Sequence, residues 1–413
     1  MVLRKREDTE KMTISELKRY KLRMQILLYL YKEYPLSAST LCAKTHVSLP
    51  TARSVVEELI EEGVVRVAGI GDSKGGRRPI LYSHAHDAFC IMAVEIGHYK
   101  AKALIFNSLN SELTSIIEYS TDIDDPNLEE KTQQVLEILL KEAGISSDKV
   151  IATGVSMPGL IDTTHGINQT IKNPKLQNVK ERLSSRLDMP VIIENDARMQ
   201  ALGEFVFGKA QKTKNALVLN WNWGLGLAMI LNGQIYHGSN GSAGEFSHIR
   251  VSPSGKLCEC GKQGCLQTIA SARALIEMAH DYLNRGAISQ LTNLFQKDPS
   301  QITVDAIIAC AKKGDELSIL LLNELSKKLG WGLSILIQLY NPELIVLNGP
   351  LAQAQQYILV PIQQTINQYC LENIQNNVRI EISEMGEHSG LKGVAVMVFQ
   401  RIFQDKSLET NSL

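Results

Sequence analysis

No apolar run in the chain approaches the roughly 18 residues that a membrane-spanning helix needs. Nor does a hydrophobic signal core stand behind Met1-Val2-Leu3-Arg4-Lys5-Arg6. These two absences point to the cytoplasm and to no membrane partner. Net charge is also lacking, with 43 Lys and Arg against 44 Asp and Glu. The chain as a whole is therefore neither a polycation nor a polyanion. A disulfide framework is disfavoured as well, because the seven cysteines are an odd number and three of them share one loop. A reducing compartment and a bound metal fit that pattern better.

What is present begins with size. A chain of 413 residues is too long for one ordinary core and suggests two or three domains. Its charge is unevenly spread. Residues 1–85 hold 15 Lys and Arg against 10 Asp and Glu, and the remainder holds 28 against 34. A basic head on an acidic body permits nucleic-acid binding by the head.

Within that head, apolar residues from Ile14 to Lys32 recur at helical spacing (Ile14, Leu17, Tyr20, Met24, Leu27, Leu28, Leu30). Ser37 can cap a second helix over Ala38 to Lys44, with His46-Val47 as the turn. Ser48 and Pro50 open a third helix that runs to about Glu62 and ends at Gly63. Two extended runs, Val64 to Ala68 and Arg77 to Tyr82, flank a loop that holds Lys74, Arg77 and Arg78. Three helices and a basic hairpin make a winged helix-turn-helix. Its third helix would present Thr51, Arg53 and Ser54 to the major groove of double-stranded operator DNA, while Lys74, Arg77 and Arg78 of the wing would meet the backbone or the minor groove. The competing reading is a winged helix that binds protein, which the Gly-Gly-Arg-Arg-Pro wing argues against. Glu57, Glu58, Glu61 and Glu62 are expected to form a solvated face.

The body, from about residue 87, alternates short strand-like runs with helical stretches. Cys90 to Val94 and Ala101 to Phe106 flank a turn, and Lys149 to Val155 leads into Ser156-Met157-Pro158-Gly159. Val191 to Asp196 is a strand running out into polar residues, with a helix from Ala197 to Phe207. Asp196 at this junction could take a proton from a hydroxyl or simply cap the helix. Asn215 to Leu219 and Leu344 to Leu347 read as buried strands, Leu320 to Tyr340 as a long apolar-striped helix, and 390–403 as the last helix. Two similar α/β lobes are the expected architecture.

One short stretch stands apart. Gly241-Ser242-Ala243-Gly244-Glu245-Phe246-Ser247-His248 is followed by Cys258-Glu259-Cys260-Gly261-Lys262-Gln263-Gly264-Cys265. A histidine and three cysteines at short loop spacing are the donors Zn²⁺ prefers, and four protein ligands leave no open position, so the metal would be structural. His248, Cys258, Cys260 and Cys265 are the expected ligands.

These segments together resemble the ROK family, which contains bacterial sugar kinases and sugar-responsive repressors. The matching stretches are Gly75-Gly76-Arg77-Arg78-Pro79, Pro158-Gly159, Glu194-Asn195-Asp196, the Gly241 to His248 motif and the cysteine loop. The resemblance spans essentially the whole chain and points to the repressor branch. It implies a winged helix-turn-helix (1–85) followed by an actin-like, two-lobed ATPase fold of ribonuclease H type. The first lobe would be 86–205, completed by a helix near 385–405, and the second, with the zinc loop, 206–384. It also implies that Asn195, Asp196, Glu245 and His248 line a sugar pocket, with Gln267 where the family usually carries a sugar-binding Glu. Asp196 would be the general base wherever the kinase reaction survives.

The departures decide between the two branches. A family kinase has Asp-x-Gly-x-Thr where this chain reads Glu95-Ile96-Gly97-His98-Tyr99. It has Gly-Thr-Gly where this chain reads Asn222-Trp223-Gly224. Tyr99 and Trp223 are bulky at positions where small residues let backbone N–H groups reach phosphate. ATP and Mg²⁺ are therefore not expected as cofactors, and the chain is read as a non-enzyme. The expected function is a DNA-binding repressor, a homodimer or tetramer, responding to a sugar or sugar phosphate. The alternative is an ATP-dependent sugar kinase that retains a winged-helix head.

Overall fold

The computed structural model describes residues 12–33, 35–72 and 78–403. The chain divides into two compact units. The first takes Met1–Met157, Thr163–Glu194 and Val394 onward, and the second takes Pro158–Asp162 and Asn195–Gly393.

The first unit opens with helix α1 (Ile14–Lys32). Thr13 and Glu16 cap it reciprocally, each side chain accepting from the other's backbone N–H. Strand β1 (Leu36–Ser37) leads into α2 (Ala38–Thr45), where Ser37 Oγ accepts from the Thr40 N–H as expected. His46, in the left-handed region at φ 55°, turns the chain toward α3 (Leu49–Glu61), capped by Ser48 with proline in its first turn. Strands β2 (Val65–Ile70) and β3 (Ile80–His84) complete the head in a sheet ordered β1-β3-β2. Ile26, Leu27, Leu30, Leu41, Val55, Val56 and Leu59 form its core. Ile14 does not join them and is 77% exposed, because it sits at the first turn beyond the packed stripe.

The acidic face of α3 is not merely solvated. Arg19 pairs with Glu58 and Arg23 with Glu62, so two of the four glutamates staple α3 to α1.

Below the head lies a five-stranded sheet of β4 (Cys90–Ile96), β5 (Lys100–Asn107), β6 (Ile117–Ser120), β7 (Val150–Met157) and β8 (Val191–Asn195), with α4 (Leu128–Ala143) and α5 (Val179–Leu187) among the connections. Its order is β8-β7-β4-β5-β6, with β4 antiparallel to β5 and parallel to β7. Residues Cys90 to Val94 are buried without alternation, as a strand covered on both faces must be.

In the second unit, α6 (Asp196–Phe207) precedes β9 (Ala216–Trp221), β10 (Leu225–Leu231) and β11 (Gln234–Ile235). Helices α7 (Ala272–Asn284), α8 (Val304–Lys312) and α9 (Glu316–Tyr340) come next, then β12 (Leu344–Asn348), α10 (Gln356–Tyr369) and β13 (Arg379–Ile382). The sheet order β11-β10-β9-β12-β13 repeats the pattern of the first unit. The first strand is central, antiparallel to the second and parallel to the fourth. Leu217, Leu219 and Trp221 of β9 pack into the large core with Leu321, Leu325 and Leu329 of α9, while Ala216 and Val218 meet Ala197 and Ala201 of α6.

The last helix, α11 (His388–Phe403), is shared between the units, changing allegiance after Gly393. Its first part crosses α6 at glycines on both sides. A Cβ on Gly203 would lie 2.1 Å from the Ser389 carbonyl oxygen, and one on Gly393 would lie 1.7 Å from that of Met199. Its second part packs on β7 and on the head. Tyr31 and Phe399 rings stand 4.8 Å apart, and the His84 ring stacks on Phe403 at 5.8 Å. Tyr31 Oη donates to Asn110 Oδ1 at 2.9 Å, and His84 Nε2 donates to the Leu27 carbonyl at 2.9 Å. The head is thus fastened to the sheet beneath it by an aromatic cluster and the Tyr31–Asn110 hydrogen bond. Among the described residues no helix is long and apolar enough to cross a membrane.

Candidate functional site

On the head, Thr51, Arg53 and Ser54 all lie exposed on α3. Two of them are already engaged. The Thr51 hydroxyl lies 2.7 Å from that of Ser48 at the helix cap, and Ser54 Oγ accepts from Arg19 Nη2 at 2.9 Å. Arg53 is the long cation on that exposed face. Arg78 is exposed at the start of the returning wing strand, whereas Lys74 and Arg77 lie outside the described residues.

The other candidate residues belong to the second unit. Asn195 is the N-cap of α6, its Oδ1 accepting from the Arg198 N–H at 3.2 Å, and its Nδ2 donates to the Gly159 carbonyl at 3.2 Å. Asp196 is therefore not the cap but the first residue of the helix, which leaves its carboxylate for other work. Asn220 Nδ2 donates to Asp196 Oδ2 at 3.2 Å. Desolvation raises the pKa of Asp196, opposed by hydrogen bonds from backbone N–H groups and Asn220 and by the charge of Arg198.

Arg198 gave no sequence signal, since a lone arginine in a helix reads as surface. It is 4% exposed, and its Nη1 donates to the Gly241 carbonyl at 2.6 Å, tying the Gly241 loop to α6. Its charge reaches both Asp196 and Glu245. Gly244 is the other fixed point of that loop. At φ +99° it favours glycine, and a Cβ there would come within 2.3 Å of the Leu227 carbonyl oxygen. The loop so pressed against β10 carries Glu245, whose pKa is raised by desolvation against the opposing charges of His248 and Arg198.

His248, Cys258, Cys260 and Cys265 bring one ligand atom each to within 4.8 Å of one another. Cys258 Sγ stands 3.7 Å from His248 Nδ1, and Cys260 Sγ stands 3.6 Å from Cys265 Sγ. A tetrahedral ion with metal–sulfur bonds near 2.3 Å requires donor separations of about 3.7 Å, which these two pairs match. With Nδ1 turned to the sulfurs, His248 Nε2 faces Glu245 Oε2 at 3.8 Å. At that distance the carboxylate stands beside the imidazole without hydrogen-bonding it.

Gln267 is not turned toward these carboxylates. Its Nε2 donates to Cys258 Sγ at 3.1 Å. Beside it, Trp223, Gly224 and Thr268 line a cavity of about 60 Å³, room for a few waters. Tyr99, in the first unit, is 65% exposed and packs edge-on to His98.

A winged helix-turn-helix DNA-binding model matches residues 21–66, and the ROK family model matches residues 91–401. The chain belongs to the ROK family. Among curated ROK relatives, a xylose repressor of Caldicellulosiruptor bescii is 29% identical over 353 residues, covering 84% of this chain and 88% of that protein. The DNA-binding transcriptional dual regulator NagC of Escherichia coli is 29% identical over 373 residues, 88% of each chain. A glucokinase of Halalkalibacterium halodurans is 32% identical over 267 residues, covering 64% of this chain and 80% of its own. The solved structure of a ROK family transcriptional regulator, a homologue of the E. coli MLC protein, superposes with a TM-score of 0.76 at 23% identity. It covers 95% of this chain and 100% of that one, which establishes the head-plus-body fold. A Streptomyces griseus ROK glucokinase, solved with glucose and AMPPNP, gives 0.65 at 26% identity over 75% of this chain and 98% of its own.

Proposed function

We propose that this ROK protein is a transcriptional repressor whose hold on double-stranded operator DNA responds to a sugar or sugar phosphate. The observation that carries this reading is the winged-helix head with Arg53 exposed on α3, fastened to a ROK body. The family's repressor members named above support it through near full-length similarity. In this reading the domains are 1–85, 86–205 with the C-terminal helix, and 206–384. Asn195, Asp196, Glu245 and His248 hold the sugar hydroxyls. His248, Cys258, Cys260 and Cys265 hold a structural Zn²⁺, which keeps the His248 ring and so the Glu245 loop in place. Bound zinc supplies no chemistry here beyond that anchoring.

The chain acts as a homodimer or a tetramer in this proposal, since two α3 helices on half-sites about one turn apart read a pseudo-palindrome. The sugar must bind the DNA-holding and DNA-releasing conformations with different affinity, or it shifts nothing. The H. halodurans glucokinase favours a second reading, in which Asp196 is the base of a sugar kinase. Trp223, bulky where the family's kinases have a small residue in the second phosphate loop, weighs against it.

A gel shift with the chain's own upstream DNA, with and without xylose, N-acetylglucosamine and their phosphates, tests the proposal. A specific complex whose stability one of them changes supports it. ATP-dependent phosphorylation of a sugar, lost in Asp196→Asn, with no specific DNA complex, would sink it in favour of the kinase.

A further inference from the structure

The family resemblance places a sugar contact at Gln267, but the side chain here has turned to sulfur. Its Nε2 lies 3.1 Å from Cys258 Sγ, and its Oε1 lies on the side of Gly224, where a Cβ added to that glycine would stand 3.6 Å away. Cys258 is 4% exposed, so water is a poor substitute for a lost donor. Cys260 has a donor of its own in the Lys262 backbone N–H.

We infer that Gln267 is a positioning residue of the metal loop, an amide donor to the Cys258 thiolate. The inference rests on the proposed zinc site. Three thiolates and a neutral imidazole around Zn²⁺ carry one net negative charge. An N–H donor at 3.1 Å offsets part of that charge and fixes the direction of the Cys258 sulfur. Glutamate cannot fill this role at neutral pH. It has no proton to donate, and its charge would repel the cluster. Glutamine at 267 thus offers the sulfur a donor that the family's usual glutamate would not. The same side chain lies beside the Trp223–Gly224 turn, and both line one small cavity.

The test uses the full-length chain, purified with zinc and as Gln267→Glu and Gln267→Met variants. Metal content of the unaltered chain is measured first. Zinc release to the chromogenic chelator 4-(2-pyridylazo)resorcinol and the thiolate-to-metal charge-transfer band after Co²⁺ replacement are then compared. The expected order of release is Gln slowest, Met intermediate and Glu fastest, with Glu about 10–100-fold above Gln, the usual cost of losing such a partner. The cobalt band should shift in both variants, which a general loss of packing would not produce in a chain that still binds one cobalt. Release within twofold of the unaltered chain, with an unmoved band, overturns the inference while leaving the zinc site intact. An unaltered chain that binds neither zinc nor cobalt overturns both.

Discussion

At the scale of single residues, two desolvated titratable groups, buried His84 and half-buried Asp196, impose opposite pH dependences. His84 is 1% exposed, and burial lowers its pKa from 6.5 to about 4, partly offset by the Leu27 carbonyl it donates to. The unfolded chain then binds more protons than the folded one between those values, so stability rises with pH across that window. It is fully present above 6.5 and lost as pH falls toward 4, an effect of about 3 kcal/mol. Gln at position 84 can still donate to the Leu27 carbonyl but cannot titrate. Thermal unfolding of His84→Gln between pH 7 and 4.5 should therefore show a shallower loss than the unaltered chain. Asp196 works the other way. Its raised pKa means that the folded state holds the proton more tightly, so this group costs stability at neutral pH and not in acid. Asp196→Asn should raise Tm at pH 7 and leave it unchanged near pH 3.5, while abolishing sugar binding. Equal Tm changes at both values would show that the carboxylate's charge is not the cause. On the head, Arg53→Ala should weaken operator binding by about 10–100-fold, with binding to unrelated DNA nearly unchanged, as read by fluorescence anisotropy. An equal loss on both DNAs would make Arg53 a phosphate contact instead.

At the scale of elements, Gly244 shows how a loop becomes a site. Gly244→Ala places a methyl group 2.3 Å from the Leu227 carbonyl oxygen at a φ that L-residues resist. It should cost about 2 kcal/mol or more and drive Glu245 out of register. Sugar titration of a variant that still retains zinc checks this, and unchanged affinity would mean that the loop has slack. Much of the element pattern was legible from residue order. Ser37, Ser48 and Pro50 marked helix starts because caps act locally, and the short apolar run of β12, ended by Asn348-Gly349-Pro350, reads as a buried strand. The clustering of His248, Cys258, Cys260 and Cys265 was legible for the same reason, since they lie close together in sequence. What was not legible depends on distant neighbours. The Glu58 and Glu62 face looked solvated because its partners, Arg19 and Arg23, lie about 39 positions away. Arg198 looked like a surface cation because its partner Gly241 is 43 positions on, and the turn of Gln267 toward sulfur follows from packing that spacing does not encode. Strands as short and partly exposed as β6 and β13 carry too little apolar alternation to stand out.

At the scale of the whole molecule, the proposed function requires that a sugar bound on the second unit alter the head's hold on DNA. Helix α11 is the covalent candidate, because its residues through Gly393 count with the second unit and those from Val394 with the first. The glycine crossings at Gly203 and Gly393 hold its first part against α6 with no room for a side chain at either point. Its far end carries Phe399 and Phe403 into the ring cluster with Tyr31, Phe89 and His84, which belong to the head and its junction. If the head's DNA affinity is linked to sugar binding through this cluster, loosening the cluster should weaken the linkage more than either binding event. Phe403→Leu keeps an apolar side chain but loses the stacking on His84. Operator affinity without sugar and sugar affinity without DNA should each stay within about threefold, whereas the factor by which sugar alters operator affinity should fall by about fivefold or more, the size of a typical coupling energy. Linkage is reciprocal, so the same loss must appear when DNA is used to alter sugar affinity. Measuring the cycle from both sides therefore checks itself. A variant that keeps the full coupling factor would show that the signal leaves the second unit by another path.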